Sequence, residues 1–423
     1  MTENDGRLVP RADFPILAQP IRGEHRLVYL DSGATAQQPR AVSAGISDFV
    51  NHRNGGVKRG SHQLAEESTV AYEEARQVLA DFVGAGPEEI VWTHGSTESL
   101  NLLAYAFSNA AQGRGGPAAR RFALGPGDSV VATVAEHHAN LVPWQELCAR
   151  TGAEFRWLGV TETGRIDLDT LKRIDKTTKV VAITHVSNVT GAVTPVAPIV
   201  EHAHRHGALV VLDACQSVPH MPVNFSELGV DFAAFSGHKM YGPTGVGALY
   251  GRAELLAALP PFLTGGSMVA EVRMEGTSYA ESPARFEAGT QPVQQIVGLA
   301  LAVKYLQQIG MDGVAAHEEQ LTALLLEGLR EIPGVRVLGP LDMRDRAGIV
   351  AVDVAGVHPH DVGQFLDSRG IAVRTGHHCA QPIHQHFGVG ASTRASLGIY
   401  NTAEDVYSFL ESLGQVRRYF KVA

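Results

Sequence analysis

Residues 231–247 read DFAAFSGHKMYGPTGVG, an apolar run followed by one lysine and a glycine-rich loop. The pattern predicts a buried strand that ends in a tight turn and presents Lys239 there. A lysine amine can form a Schiff base with a carbonyl, and burial favours its neutral, nucleophilic form. The alternative is an ordinary surface lysine in a loop, and the small residues on both sides of Lys239 argue against it.

Similar apolar runs precede this stretch and alternate with helical segments. Continuous apolar strands between helices predict a parallel sheet that is covered on both faces. Ligands bind such sheets at the carboxyl ends of the strands, where polar residues of this chain also fall. The predicted strands are 88–95, 129–137, 179–187, 208–217 and 231–237, and the polar residues at or near their ends are His94, His138, Asn188, Asp213 and Lys239.

The order of segments changes near residue 293, which suggests two domains in this chain of 423 residues. We predict a large domain at 26–292 and a smaller α+β domain at 293–423, because short apolar runs then follow two long helical segments. The polar residues 1–25 are expected to pack on the small domain. Residues 111–127 are rich in glycine, proline and alanine and predict an exposed loop.

The composition limits the class of protein. A net charge of -9 argues against nucleic acid as a partner, since that would favour a basic surface. The opening MTENDGRLVP lacks the apolar core of a signal peptide, and no apolar run reaches the roughly 18 residues of a membrane helix. Three widely spaced cysteines fit a reducing cytoplasm without a disulfide framework.

The segment RTGHHC at 374–379 offers a reactive thiol. Arg374 and the two histidines beside Cys379 could favour its thiolate, which is the nucleophilic form. The alternative is a buried, apolar thiol. Cys148, inside a predicted helix, and Cys215, at a strand end, are expected to be packed and inert. An amine at Lys239 and a thiol at Cys379 together suggest pyridoxal phosphate chemistry on a sulfur substrate.

Asp213 ends a strong apolar strand, ALVVLD. A carboxylate at this place could pair with a pyridinium nitrogen and strengthen a cofactor ring as an electron sink. Gln216 could reach the phenolic oxygen of the same ring. A turn or helix-capping aspartate would leave the same pattern.

Three further motifs have both a functional and a structural interpretation. Ser96 and Thr97 follow Gly95 at a predicted helix start, where they could bind phosphate or simply cap the helix. His138 could stack on a flat ring or transfer protons, or be a packed imidazole; with His137 it makes a poor metal pair, because neighbours in an extended segment point opposite ways. Arg394 could hold a carboxylate in a bidentate manner or form a structural ion pair.

Together these motifs resemble the class V aminotransferase branch of the fold-type I pyridoxal phosphate enzymes, and within it the SufS-type (group II) cysteine desulfurases. The resemblance covers nearly the whole chain, from residue 29 to the terminal helix. One departure is DACQ at 213–216, where the family more often has Asp-Gly-Ala-Gln; a strand neighbour of Asp213 such as Cys215 should nevertheless face away from the cofactor. The matching segments follow the family's order: YLDSGATAQQP, RGSHQLAE, GSTESLNLLA, AEHHANLVPW, ITHVSNVTGAV, SGHKMYGPTGVGALY, GGSM, RFEAGT and RTGHHCAQP.

The resemblance implies an α/β fold in which a mainly parallel seven-stranded sheet forms the large domain beside the smaller α+β domain. It also implies a pyridoxal 5'-phosphate site and a homodimer, because Thr290 would reach the phosphate of the neighbouring subunit. The implied roles are Lys239 for covalent attachment of the cofactor, His138 for stacking on its ring, Asp213 and Gln216 for ring contacts, Ser96, Thr97, Ser236 and His238 for the phosphate, Asn188 and Arg394 for the substrate carboxylate, and Ala34, His62 and Arg374 around the substrate.

The implied activity is conversion of L-cysteine to L-alanine in the cytoplasm, with a persulfide on Cys379 that passes to an acceptor protein for iron–sulfur cluster assembly. HPHD at 358–361 is similar to members that use a zinc-bearing SufU-type acceptor, so His360 could bind the partner's zinc, or only cap a helix. No resident metal is expected. The alternatives are a selenocysteine lyase, another class V β-elimination enzyme, and a non-catalytic sulfur-relay subunit.

Overall fold

Seventeen strands form the sheets of the protein, in the computed structural model that describes residues 7–422. They are β1 (Pro20–Ile21), β2 (His25–Arg26), β3 (Val28–Tyr29), β4 (Ile90–Thr93), β5 (Ser129–Thr133), β6 (Glu154–Leu158), β7 (Thr178–Thr184), β8 (Leu209–Asp213), β9 (Phe232–Ser236), β10 (Gly247–Gly251), β11 (Val269–Arg273), β12 (Gly276–Tyr279), β13 (Val335–Leu338), β14 (Ile349–Val354), β15 (Ile371–Ala372), β16 (Arg374–Gly376) and β17 (Ser392–Ser396).

The helices fill the segments between these strands. They are α1 (Arg40–His52), α2 (Gln63–Val83), α3 (Ser96–Ala111), α4 (Gly116–Ala119), α5 (Val142–Thr151), α6 (Val196–Arg205), α7 (Phe225–Leu228), α8 (Ala253–Ala258), α9 (Val293–Ile309), α10 (Met311–Arg330), α11 (Pro359–Asp367), α12 (Gln381–His386) and α13 (Ala403–Tyr419).

The large sheet has seven strands in the order β4-β10-β9-β8-β7-β5-β6. Only β10 runs antiparallel to its neighbours, and the other paired strands are parallel. The predicted α/β fold with a mainly parallel sheet is therefore confirmed. In the register, Thr184 of β7 lies opposite Asp213 of β8, so the carboxyl ends of these strands meet at one edge of the sheet.

Both faces of this sheet are buried, as the continuous apolar strands predict. Val210 and Leu212 of β8 pack in a core with α1, α2, α6 and α9, whereas Val211 between them packs in a second core with α3 and α5. Since successive side chains in a strand point to opposite faces, one short apolar strand supplies both cores.

The smaller sheet has four antiparallel strands in the order β13-β14-β17-β16. Helices α10, α11 and α13 cover it with a third apolar core. Helix α9 begins at Val293, where the small domain is predicted to begin, and packs on α1 and α2 of the larger unit. Its apolar residues therefore belong to the core of the large sheet.

The N-terminal segment lies against both parts of the chain. Phe14 packs edge-on against Tyr241 of the large unit and Tyr305 of α9, and Arg22 pairs with Asp367 of α11. Residues 1–6 of the predicted segment lie outside the described residues. Within residues 7–422, no helix combines the length and apolar character needed to cross a lipid bilayer.

The prediction that residues 111–127 form an exposed loop is partly wrong. Helix α3 extends into it as far as Ala111, and α4 follows at Gly116–Ala119. Ala119, Phe122 and Leu124 are buried in the core beside α3, which anchors the second half of the segment. The apolar side chains therefore decided its packing, despite the abundance of glycine and proline around them.

Candidate active site

A cavity of about 390 Å³ lies at the carboxyl edge of the large sheet and extends to the small sheet. Strands β7, β8 and β9 end at one side of it, and β16, β17 and the loop after β16 border the other side. The structure brings together most of the residues that the sequence predicts. Those that line it are Ala34, Ser96, Thr97, Asn188, Asp213, Gln216, Ser236, His238, Lys239, Arg374, Cys379 and Arg394.

Lys239 reaches this cavity from a single turn, Gly237–Lys239, that follows β9 directly. The turn is tight because a side chain at Gly237 would lie 3.1 Å from the carbonyl oxygen of Val246. Asp213 ends the neighbouring strand β8, is 5% exposed, and accepts a hydrogen bond from the amide of Cys215 (3.1 Å). An amine and a carboxylate thus face the same enclosed space.

The first turn of α3 forms one end of the cavity. Gly95 precedes it with φ of +148°, and a side chain there would lie 3.3 Å from Ser236 Oγ. The amide of Ser96 donates to Ser236 Oγ (2.9 Å), and the two hydroxyl groups are 3.1 Å apart. Exposed amides and hydroxyls at a helix N-terminus suit a phosphate group.

The structure places His137 in the lining of the main cavity, where the sequence predicts His138. His137, its neighbour, lines the cavity with Lys239 and Asp213, whereas His138 borders an adjoining cavity of about 370 Å³ that His137 and Cys379 also line. The two side chains point in different directions because His137 is extended whereas His138 begins a single helical turn, His138–Asn140. Burial, reinforced by the charge of Lys239, lowers the pKa of His137 to about 4, so its ring is neutral.

Two predicted site residues lie elsewhere, and one unexpected residue is present. His62 is exposed and caps α2, where its Nδ1 accepts from the amide of Ala65 (3.3 Å). Thr290 borders a different cavity of about 520 Å³, together with Lys58. Cys215 lines the main cavity, contrary to the expectation that it faces away, since the chain turns after β8 ends at Asp213.

Burial nevertheless keeps the thiol of Cys215 in its neutral, less nucleophilic form. Its Sγ lies 3.8 Å from Ser236 Oγ, and burial raises its pKa to about 11. Cys148 is buried within α5 and its pKa is raised to about 11 as well. Cys379, by contrast, is exposed, so the accessible thiol among the three is the predicted one.

Cys379 lies on a loop with an unusual backbone. His378 and Cys379 have φ of 51° and 54°, in the left-handed region that non-glycine residues rarely adopt. Two carbonyl oxygens hold the loop: that of His378 accepts from Asn188 Nδ2 (2.6 Å), and that of Cys379 accepts from the amide of His138 (2.6 Å). The strained backbone is therefore fixed from the large unit, as at many functional sites.

Two arginines border the cavity beside this thiol. Arg394 of β17 is 2% exposed and donates from Nη1 to the carbonyl oxygen of Asn188 (2.9 Å). Arg374 of β16 is paired with Asp31 (3.0 Å), whose contact with Arg394 is longer, at 3.5 Å. Asp31 is not among the predicted site residues, although a single carboxylate directly after a short apolar run points to it.

Several buried polar atoms around the cavity have no hydrogen-bond partner within residues 7–422: Asn188 Oδ1, Gln216 Oε1, His378 Nδ1 and Arg394 Nε. Buried groups of this kind cost free energy unless a ligand satisfies them. The amine of Lys239 fits an aldehyde, and the carboxylate of Asp213 fits a pyridinium nitrogen. The neutral ring of His137 fits an aromatic ring, and the hydroxyls at α3 fit a phosphate. The residues present therefore fit pyridoxal 5'-phosphate. Within the same described part of the chain, no group of three or more metal-binding side chains is placed to hold a metal ion.

A family model and named relatives match nearly the whole chain. Residues 28–409 match the family model described as aminotransferase class-V. A probable cysteine desulfurase 2 of Mycobacterium leprae is 55% identical and aligns over 94% of this chain and 93% of its own length. A probable cysteine desulfurase of Streptomyces coelicolor is 46% identical over 97% of both chains.

Solved structures give the same picture. The apo cysteine desulfurase of Thermococcus onnurineus superposes with a TM-score of 0.89, at 36% identity and 97% coverage of both chains. The cysteine desulfurase CsdA of Escherichia coli has a TM-score of 0.86 at 37% identity, with 97% of this chain and 98% of that chain covered.

Proposed function

This chain belongs to the class V aminotransferase family, and we propose that it is a pyridoxal-phosphate-dependent cysteine desulfurase that converts L-cysteine to L-alanine and carries the sulfur as a persulfide on Cys379. One observation carries the proposal: a single cavity is bordered by Lys239 and Asp213 on one side and by the exposed thiol of Cys379 on the other. An aminotransferase would need Lys239 and Asp213 but not the thiol of Cys379.

The residues of the large unit hold the cofactor in this proposal. Lys239 would attach it covalently, Asp213 would pair with its pyridinium nitrogen, and Ser96 and Ser236 would hold its phosphate with Thr97 and His238. His137 takes the stacking role first assigned to His138, because its neutral imidazole lines the cavity. When bound, the cofactor supplies an electron sink for the bond-breaking steps at the substrate.

Arg394 binds and orients the substrate. Within residues 7–422 its Nε is buried without a hydrogen-bond partner, and the residue lines the cavity beside Asn188, whose Oδ1 is also unpaired. A carboxylate at this place satisfies the guanidinium and fixes the direction of the Cα–H bond. Orientation of this kind is worth up to about 7–11 kcal/mol of the barrier in favourable cases.

Lys239, whose amine lines the cavity and would be free once the amine of L-cysteine has replaced it, then moves the proton of Cα. Cys379, as thiolate, bonds to the substrate sulfur while the Cβ–S bond breaks. The electron pair of that bond stays with the amino acid, whose Cβ takes a proton and becomes the methyl group of alanine. Sulfur is left on Cys379 as a persulfide, and no external oxidant is needed.

Several finer assignments belong to the same proposal. The short spacing from Cys379 to Arg394 supports the SufS-type group II, and the second cavity at Thr290 supports a homodimer in which this residue reaches the neighbour's phosphate. The low cysteine content supports a cytoplasmic location. Iron–sulfur cluster assembly is the proposed destination of the sulfur.

A zinc-bearing SufU-like protein is the proposed acceptor, with His360 as a transient ligand to its zinc. His360 is exposed in the first turn of α11, and the capping function at this helix is already met by His358, whose Nδ1 accepts from the amide of His360 (3.2 Å). Its imidazole is thus available to a partner. Loss of acceptor-stimulated turnover in His360→Ala, with the turnover without acceptor retained, supports this role, and unchanged stimulation removes it.

The decisive experiment measures alanine and protein-bound persulfide after addition of L-cysteine. Wild type is expected to form both, whereas Cys379→Ala forms neither although it keeps the cofactor. Cys215→Ala is the matched control, because its thiol borders the same cavity and is buried; it should keep the persulfide on Cys379. Sulfide release by Cys379→Ala at the wild-type rate would overturn the assignment of the nucleophile.

A further inference from the structure

A buried carboxylate lies just beyond the end of β5, one residue before His137. Glu136 is fully buried, and its two oxygens accept three hydrogen bonds. Oε1 accepts from Thr133 Oγ1 (2.7 Å) and from the amide of Thr184 (2.8 Å), and Oε2 accepts from Asn140 Nδ2 (2.7 Å). Thr133 ends β5, Thr184 ends β7, and Asn140 lies just before α5. One side chain therefore joins three segments that meet at the carboxyl edge of the large sheet.

The direction of each hydrogen bond is set by further contacts. Asn140 Oδ1 accepts from Trp144 Nε1 (3.0 Å), so Asn140 presents its amino group to Glu136. Thr133 Oγ1 accepts from the amide of Ala135 (3.1 Å), which leaves its proton for Glu136. All three neighbours are thus donors, and such a set suits a carboxylate. Burial raises the pKa of Glu136 to about 8, while the three hydrogen bonds act in the opposite direction by favouring the charged form.

The residues that follow Glu136 reach both sides of the active-site cavity. His137 lines the main cavity, where it has the proposed stacking role. The amide of His138 donates to the carbonyl oxygen of Cys379 (2.6 Å), and His138 Nε2 accepts from the amide of Gln381 (3.1 Å). A shift of this short segment would therefore move the imidazole ring and the thiol together.

We propose that Glu136 is a positioning residue that fixes His137 at the cofactor site and, through His138, the loop that carries Cys379, so that the cofactor and the nucleophile keep their relative places. The inference rests on the proposed function, because it assumes that His137 contacts the cofactor and that Cys379 accepts the sulfur. Glu136 acts through these neighbours and is not among the residues that line the cavity. Arg394 has its own contact with Asn188, so substrate binding does not pass through this network.

Glu136→Gln tests the role because it keeps the size of the side chain and replaces one acceptor with a donor. In either orientation its amino group faces another donor, since all three neighbours donate. At about pH 8.5, where wild-type Glu136 is ionised, kcat for alanine formation should fall about tenfold or more, as for a buried polar group left unpaired. KM for L-cysteine should stay within about twofold of wild type. The absorbance of the bound cofactor and the rate at which iodoacetamide alkylates Cys379 should both change.

A second substitution should repair the network. When Glu136→Gln is combined with Asn140→Asp, the carboxylate and the amide exchange places. The amino group at position 136 then has an acceptor, and Trp144 Nε1 keeps one. We expect kcat to return to within about threefold of wild type, together with the absorbance and the alkylation rate. Asn140→Asp alone should be impaired, because two carboxylates would face each other.

Asp231→Asn is the matched control. Asp231 is 2% exposed and its Oδ2 accepts from the amide of Val210 (2.8 Å), but it lies directly before β9, at the opposite edge of the sheet. Its loss should lower the midpoint of urea unfolding and leave kcat and the alkylation rate unchanged. A general loss of stability would therefore not reproduce the effect expected at Glu136.

Wild-type kcat in folded Glu136→Gln overturns the proposal, and so does a double variant that is no more active than the single one. If Glu136→Gln fails to fold, Thr133→Val replaces it, because this change removes one donor and keeps the shape. It should lower kcat about threefold with KM unchanged, and an unchanged kcat there overturns the proposal as well. A wild type that forms no alanine from L-cysteine would instead overturn the proposed function.

Discussion

The two sides of the active-site cavity are built by opposite means. On one side, Asp213 and Lys239 lie at and just beyond the ends of fully buried strands and owe their places to the sheet register. On the other side, Cys379 lies on a loop in a rare backbone conformation, exposed to solvent. A group that must hold a flat ring belongs on a rigid strand end, whereas a thiol that must release sulfur to a partner belongs on an accessible loop.

The largest effect is expected from the strand side. Lys239→Ala removes both the covalent attachment and the base, so turnover should fall by about 10²–10⁴-fold or more, and dialysis should remove the visible absorbance of the cofactor. Titration of Cys379 with a thiol reagent should be unchanged, because the loop has its own anchors. Lys179→Ala, which breaks an exposed pair with Asp128, is the control. Normal absorbance in Lys239→Ala would contradict the assignment.

The second effect concerns substrate binding between the two sides. Arg394→Lys keeps a positive charge but loses the planar fork and the bond to the carbonyl oxygen of Asn188. We expect KM for L-cysteine to rise about 10–100-fold, as for loss of a charge-assisted hydrogen bond. Arg336→Lys on β13, which alters an exposed pair with Asp353, should leave KM unchanged. An unchanged KM in Arg394→Lys would place the carboxylate elsewhere.

The third test separates two adjacent histidines. His137→Ala should cost about tenfold in kcat/KM and shift the absorbance of the bound cofactor, as for loss of a stacking contact. His138→Ala keeps the backbone amide that holds Cys379 and loses only the bond that its Nε2 accepts from the amide of Gln381 (3.1 Å). Its cofactor spectrum should match wild type. The reverse result would return the stacking role to His138.

The smallest effect is on stability and concerns the buried strand edge. Burial lowers the pKa of His185 to about 4, so the folded protein keeps this ring neutral where the unfolded chain, with a pKa near 6.5, takes up a proton. The contribution of the neutral His185 ring to the free energy of unfolding is complete above pH 6.5 and is lost as the pH falls toward 4. The free energy of unfolding of the cofactor-loaded protein, measured with urea, should fall between pH 7 and pH 5.5 in wild type. In His185→Gln this fall should be smaller by about 1 kcal/mol. His94→Gln, at an exposed position, is the control, and an identical pH dependence in His185→Gln would contradict the assignment.

The sequence was informative wherever the chain is regular. Apolar strands with polar ends located Lys239, Asp213 and Asn188 at one edge, because parallel strands must align their carboxyl ends. Prediction from the sequence was less accurate for the residues just beyond the ends of these strands. There the path of the chain, and not periodicity, decides that His137 faces inward and that Cys215 lines the cavity.

A second limit of the sequence is packing between distant segments. Helix α9 begins at the predicted domain boundary but packs on α1 and α2, and nothing in its own pattern names these partners. Asp31 is similar, since its ion pairs join it to two arginines more than 340 residues away along the chain. His62 and Thr290 are not among the residues that line the main cavity, and their predicted roles stay predictions.

The anchors of the Cys379 loop make the side chain at this position exchangeable. Both anchoring hydrogen bonds end on backbone carbonyl oxygens, which every amino acid provides. A different nucleophile, such as selenocysteine, can therefore be installed there while the loop keeps its place. The left-handed backbone sets the one restriction: a β-branched residue such as threonine would be strained, whereas unbranched side chains fit. Position 379 is thus a site for chemical redesign in which reactivity can change independently of the fold.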